Sequence, residues 1–322
     1  MRAVQVTRFG TEPVLREIDR PEPGPGEVLV EVAACGLNFA DLLMQKGSYQ
    51  DTPEPPFTLG MEMSGRVVGL GAGVTRPGLG ARVAAFAGRG GLAEFAAVPA
   101  EVCVEIPKAM AMDVAAGFLV AYGTSHLALT RRARLRAGER LVVLGAAGGV
   151  GLTAVELGAA LGAEVVAVAR GAEKLAAARQ AGAHHLIDAG AADLRTAIKD
   201  LGGADVVYDA VGGAAFTDAL RATRPEGRIL VIGFASGDVP QVPANHLLVK
   251  NVDVIGVYWG GYLRFARAAL TGSLGGLMEM YASGRIAPRI GATRPLARAG
   301  EALALLRDRA VPGKVVVTVA ET

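Results

Sequence analysis

Residues Leu141 to Arg170 read LVVLGAAGGVGLTAVELGAALGAEVVAVAR, and this stretch decides the fold. An apolar run, Leu141–Leu144, meets a glycine-rich turn, then a helical pattern, then a second apolar run over Val165–Val168. Apolar runs on both sides of a helix predict parallel strands buried on both faces, a βαβ unit. Gly145, Gly148, Gly149 and Gly151 stand where the chain must turn sharply and let a ligand lie against the backbone. The helix starting near Val150 would aim free N–H groups and its positive end at that ligand, which suits a pyrophosphate. The spacing is GxxGxxG rather than GxGxxG, so the order strand, turn, helix, strand carries the reading. Gly145, Ala147, Gly148, Gly149 and Val150 are the candidate contacts. A ligand-free tight turn would need only one of these glycines.

The second strand ends at Ala169, and Arg170 follows, with Lys174 one helical turn later. Sites for a dinucleotide with a free ribose 2′-hydroxyl usually carry an acid about 20 residues beyond the glycines. Here a cation takes that place. A 2′-phosphate would be neutralised by Arg170 and Lys174, so the sequence predicts NADP(H) rather than NAD(H). Glu173 is the nearest acid, and at a helix start it is favourable to the dipole in its own right.

The chain has 322 residues, enough for two domains, with 51% hydrophobic but only 5% aromatic residues. Net charge is +2 with both signs interspersed, which gives no reason to expect a nucleic-acid or membrane-surface partner. A hydropathy scan would flag Leu141–Ala169 as a membrane span, but its glycines, with Glu156 and Glu164, fit a buried βαβ unit instead. Cys35 and Cys103 lie far apart behind an N-terminus without a secretory apolar core, which predicts thiols in a reducing cytoplasm. Cys35 reads as a small buried residue at a strand end rather than a nucleophile.

Before residue 118 the pattern is different. Short β runs (Ala3–Thr7, Val28–Ala33, Gly65–Val68, Arg82–Ala85, Ala93–Val98) alternate with turn clusters such as PEPGPGE over Pro21–Glu27, predicting a barrel-like β domain. Leu42–Phe57 reads as a long loop of the kind that often carries function. After a helical segment from Met110, strands and helices alternate. Strands are predicted at 141–144, 164–169, 185–187, 205–209, 228–233 and 252–257. Helices are predicted at 150–161, 172–181, 193–201, 214–224 and 243–249. Six strands with crossover helices make an α/β doubly wound parallel sheet, with ligands at the strands' carboxyl ends. The tail from Gly260 holds further helical patterns and a final strand, Lys314–Ala320, expected to return to the first domain. The domains are therefore set at 1–118 with 259–322, and at 119–258.

Taken together, Asn38-Phe39-Ala40-Asp41, Gly60-Met61-Glu62, the glycine turn, Tyr208-Asp209-Ala210-Val211-Gly212-Gly213 and Ile232-Gly233-Phe234-Ala235-Ser236 resemble the medium-chain dehydrogenase/reductase superfamily. The likeness is to its zinc-free quinone oxidoreductase branch. It implies a GroES-like β domain completed by the C-terminus, an inserted Rossmann domain, and a homo-oligomer, most simply a dimer. The superfamily's zinc enzymes need a Cys ligand where Asn38 stands and a His ligand where Met61 stands. Neither replacement would hold zinc as thiolate and imidazole do, and no CxxC pair exists, so no metal is expected. The resemblance implies a nicotinamide lodged between the domains. Asn38 would hydrogen-bond near it, with Thr124, Val211, Gly212, Phe234 and Ser236 lining its end of the site. Tyr49 would lie over the acceptor and donate to an oxygen gaining charge. Asp41 completes the catalytic set, or serves as a structural cap. Arg309 matches an arginine that reaches the 2′-phosphate. Two positions depart from the pattern: Leu43 replaces a pocket aromatic of some relatives, and Ala189 a tyrosine that helps hold the phosphate.

The expected activity is hydride transfer from NADPH to a quinone without metal. A second possibility is reduction of an activated C=C bond in an enone, enal or enoyl thioester. A third, of another class, is a nucleotide-binding protein without turnover. His184 and His185 read as surface or strand-edge residues without a role.

Overall fold

Short β runs punctuated by glycine and proline pair as antiparallel strands in the computed structural model, which describes residues 1–319. They are β1 (Arg2–Val6), β2 (Val14–Glu17), β3 (Glu27–Gly36), β4 (Phe57–Thr58), β5 (Glu62–Leu70), β6 (Arg82–Phe86), β7 (Phe95–Pro99) and β8 (Cys103–Glu105). β1 lies between β2 and β4 in a small sheet. β3 pairs with β5 on one edge and with β7 on the other. Val28, Val30 and Val32 of β3 enter a core shared with Leu59, Met63 and Val83.

The stretch expected as a loop from Leu42 begins as helix. α1 spans Phe39–Lys46, with the Asp41 carboxylate accepting the Asn38 N–H at 2.8 Å in a capping box. Gly47, in the left-handed region at φ 75°, stops it. The start and stop signals outweigh the prolines further on, which govern only the remainder. α2 (Met112–Ala116) and α3 (Leu119–His126) follow, and α3 widens into a π-type turn over Leu127–Arg132.

Helices and strands then alternate through β9 (Arg140–Leu144), α4 (Gly149–Ala160), β10 (Glu164–Ala169), α5 (Ala172–Gln180) and β11 (His185–Asp188). The series continues with α6 (Leu194–Asp200), β12 (Ala204–Asp209), α7 (Gly213–Ala222), β13 (Thr223–Val231), α8 (Ala244–Lys250) and β14 (Asp253–Gly256). These strands form one parallel sheet in the order β11-β10-β9-β12-β13-β14. Leu141, Val142, Val143 and Leu144 are each 0% exposed, so β9 is covered on both faces. Each such side chain contributes about 1.5–3 kcal/mol by leaving water. Strand order reverses between β9 and β12, where such sheets bind ligands at their carboxyl ends.

α9 (Tyr262–Phe265) and α10 (Arg267–Ala282) follow, then β15 (Ile290–Pro295), α11 (Ala299–Arg307) and β16 (Lys314–Thr318). β16 pairs antiparallel with the end of β3, so the chain's last described strand completes the sheet begun by its third. Ala320, expected in that strand, lies outside the described residues. The chain falls into two compact units: Met1–Val120 with the segment from Pro288 on, and Ala121–Ala287. Residues 259–287, assigned from sequence to the first domain, make contacts within the second unit. A Cβ on Gly123 would stand 2.7 Å from the Trp259 indole, and His126 Nδ1 meets Ser273 Oγ at 2.8 Å. Among the described residues no helix is long and apolar enough to cross a membrane.

Candidate functional site

In the second unit, the turn between β9 and α4 is built by backbone that side chains would obstruct. Gly145 has φ +73°, and a Cβ there would meet Val211 Cγ2 at 3.0 Å. A Cβ on Gly151 would stand 2.1 Å from the Gly145 carbonyl oxygen. Only glycine allows this approach of helix to turn. Gly148 N–H donates to Gly145 O at 3.0 Å, and α4 starts at Gly149 with neither a side-chain cap nor an acid in its first turn. The N–H groups of Gly149, Val150 and Gly151 therefore have no intrahelical acceptor. Gly148 is exposed, and Ala146 and Ala147 are buried behind it. Such a cradle fits a pyrophosphate.

The neighbouring turn after β12 is tied to this one. Asp209 accepts the N–H groups of Val211 (2.8 Å) and Gly212 (2.9 Å), and its burial raises its pKa against these bonds. Gly212 and Gly213 both have positive φ. Ser236 N–H donates to Val211 O at 2.9 Å, and Ala235 N–H to Ala210 O at 3.1 Å. Gly145, Val211, Gly212, Phe234 and Ser236 thus come together at the point where strand order reverses.

Beneath them lies a set of hydroxyls not singled out from sequence. Ser125 Oγ meets Tyr208 OH at 2.9 Å and Thr153 Oγ1 at 2.8 Å, and donates to Val150 O at 3.0 Å. Burial raises the Tyr208 pKa, keeping the phenol protonated. This network anchors the first turn of α4 to α3 and β12. Thr124, the residue chosen from the resemblance, is buried one position earlier on α3. Serine and threonine in a helical pattern carry no mark of such a partner, which is why the neighbour was missed.

At the end of β10, Arg170 is exposed and Lys174 half-buried on α5. Ala189 N–H donates to Ala169 O at 3.0 Å, beside Arg170. Asp188 Oδ1 accepts from Gly190 at 2.9 Å and, more weakly, from Gly171 at 3.4 Å. The histidines belong to the strand edge: His185 Nε2 meets Glu164 at 2.7 Å and His184 Nδ1 accepts the Val165 N–H. Arg309 lies in the first unit, exposed and with φ 51°, just after α11.

The first unit brings Asn38 and Asp41 into a buried polar cluster with Glu62 and Lys314. Lys314 Nζ donates to Leu37 O (2.7 Å), Asn38 Oδ1 (2.8 Å) and Glu62 Oε1 (2.8 Å). Asn38 Nδ2 donates to Glu62 Oε1 at 3.0 Å and Gly36 O at 3.3 Å. Glu62 Oε2 accepts the Val120 N–H at 2.9 Å. Both amide hydrogens of Asn38 are committed within the protein, so a ligand donating to Oδ1 fits it better than one requiring a donor. Burial pushes the Asp41 carboxyl up to about 6, although N–H donation from Asn38 and Gly60 and the Lys314 charge act the other way. Burial likewise raises the Cys35 thiol well above its usual range, which makes it a poor nucleophile. Tyr49 lies past the end of α1, half-buried against the core of the same unit. Among the described residues no group of three or more His, Cys, Asp or Glu could hold a metal ion. Glu62 was legible only as part of a motif, and Lys314 only as the start of a strand.

Comparison with known proteins follows the same division. Residues 24–108 match the alcohol dehydrogenase GroES-like domain, and residues 149–271 the zinc-binding dehydrogenase family. The chain is 37% identical to the quinone oxidoreductase-like protein 2 homolog of Nematostella vectensis, across 98% of this chain and 88% of that protein. The quinone oxidoreductase of Thermus thermophilus, solved also with NADPH, has 35% identity and a TM-score of 0.88, covering 99% of this chain and 100% of its own. The Escherichia coli quinone oxidoreductase complexed with NADPH has 28% identity and a TM-score of 0.92, with the same coverages of 99% and 100%.

Proposed function

Because the chain belongs to the zinc-free quinone oxidoreductase branch of the medium-chain dehydrogenase/reductase superfamily, we propose that it is an NADPH-dependent reductase of quinones. The observation that carries the coenzyme reading is the uncapped start of α4 over the Gly145–Gly151 approach, with Arg170 at the end of the next strand. The N–H groups of Gly149, Val150 and Gly151 would bind the pyrophosphate. Arg170 and Lys174 would hold the 2′-phosphate as cationic donors. Val211, Gly212, Phe234 and Ser236 would line the nicotinamide end, with Thr124 near the carboxamide. When bound, the coenzyme supplies a hydride, and the chain supplies binding, orientation and electrostatics.

Tyr49 would donate a hydrogen bond to the acceptor oxygen as that oxygen gains negative charge. Asn38 would present Oδ1 to a donor on the ligand, and Asp41 would fix Asn38 through its backbone N–H. No metal takes part in this reading. The donor set agrees with it: Asn38 and Met61 stand where zinc relatives need Cys and His, and Glu62 is engaged by Lys314. The protein would work in the cytoplasm on a small-molecule acceptor.

The test is a matched assay of NADPH and NADH with 1,4-benzoquinone, 9,10-phenanthrenequinone and a 2-enoyl-CoA ester, with and without chelator. Quinone turnover with NADPH that survives chelation is the expected result. Turnover of the enoyl ester alone would replace the quinone by an activated C=C bond. Loss of activity on chelation would overturn the metal-free reading.

We also propose a homodimer. β14 is an edge strand with one row of backbone N–H and C=O groups unused by the sheet, and Leu248 and Val249 beside it are 78% and 74% exposed. A second copy adding its own edge would cover both features.

A further inference from the structure

Lys314 reaches the cluster in the first unit from the last described strand, yet its ammonium is saturated there. Its three N–H groups meet three acceptors, Leu37 O, Asn38 Oδ1 and Glu62 Oε1, all at 2.7–2.8 Å. The Lys314 and Glu62 side chains are only 6% and 1% exposed. Room for the lysine stem comes from Gly117, where a Cβ would stand 3.3 Å from Lys314 Cβ and Cε. A buried ion pair is weak evidence for stability, since well-packed apolar residues of the same volume often do as well or better. Its value here must be sought in what it orients.

Asn38 lies between the two charges. An ammonium can only donate and a carboxylate only accept, so Asn38 must turn Oδ1 to Lys314 and Nδ2 to Glu62. Either charge alone still imposes this orientation, and with both gone only the 3.3 Å contact of Nδ2 with Gly36 O would favour it. We infer that Lys314 is a positioning residue of the acceptor half of this site, an internal cation that sets the Asn38 amide in one orientation and balances Glu62. The inference rests on the proposed reductase function for its kinetic effect, but not for its structural one. The positive charge is covalently part of the chain, so this orientation needs no ion from solution.

Two variants test this, K314M and the charge-balanced K314M/E62Q. The second removes both buried charges, so it keeps the fold if the first does not. In K314M/E62Q, with NADPH and 1,4-benzoquinone, kcat is expected to fall about 10-fold or more while KM for NADPH stays within about 2-fold. K314R, which keeps the charge, should recover part of the loss. The second readout is independent of activity: in asparagine-labelled protein the Asn38 side-chain amide hydrogens should exchange slowly with water in the wild type and fast in K314M/E62Q. Wild-type kcat together with slow exchange in K314M/E62Q would overturn the inference. If the wild type turned over no acceptor, the functional reading would fall, and the exchange result alone would decide the role of Lys314. Slow exchange in the variant would then reject it, and fast exchange would uphold it.

Discussion

Gly151 on α4 faces the carbonyl oxygen of Gly145 so closely that a Cβ would stand 2.1 Å from it. This contact sets how near the helix start comes to the turn, and so how far its N–H groups reach towards a ligand. G151A must push helix and turn apart, at a cost of about 1–3 kcal/mol by overpacking. Its melting temperature should fall, and its NADPH affinity, measured by calorimetry, should weaken about 10-fold or more. Unchanged affinity would mean that the ligand does not use this helix start.

In the proposed reading Arg170 selects between the coenzymes. R170A should lower kcat/KM for NADPH by about 10–100-fold, the range set by losing a charge-assisted hydrogen bond worth about 1.5–3 kcal/mol. The NADH value should stay nearly unchanged. Equal losses for both coenzymes would remove the 2′-phosphate from the side chain's role.

Asp41 has a pH signature that opposes acid denaturation. Burial disfavours the ion and pushes its folded carboxyl up from the usual 3.8 to about 6. The folded state therefore holds this proton more tightly than the unfolded state. The resulting stabilisation is present in full below pH 3.8, declines as pH rises towards about 6, and is gone above it. Comparing wild type with D41N in denaturant across that window, the stability difference should move against the wild type by about 3 kcal/mol as pH rises. No change, or a change of opposite sign, would place the proton elsewhere.

The proposed dimer rests on β14 and the two apolar side chains next to it. Leu248→Glu with Val249→Glu should shift the mass by light scattering from dimer to monomer, with little change in far-ultraviolet circular dichroism. A wild type that is already monomeric in that measurement would dispose of the proposal.

The second unit was more legible than the first, for a physical reason. β9 and β10 are buried on both faces, so Leu141–Leu144 and Val165–Val168 had to be apolar throughout, and the strand boundaries follow within a few residues. β2 is exposed along its whole length, and its apolar Val14 and Leu15 gave no alternation to read. α1 is hard to see in sequence because eight residues offer little periodicity, although Asn38, Asp41 and Gly47 mark its ends. The glycine turn could be placed because its requirement is local. The partnership of Lys314 with Asn38 and Glu62 could not, because it joins residues 276 and 252 positions apart and a lysine in a strand usually faces water.

Pairing of β16 with β3 has a consequence for biosynthesis. During translation the parallel sheet is complete long before the ribosome reaches Lys314, so the inserted half can settle while the antiparallel half still lacks a strand. Until then Glu62 has no counter-charge. A chain that stops ahead of β16 would thus have its glycine turn in place while Asn38 and Glu62 still lacked the lysine that binds them together.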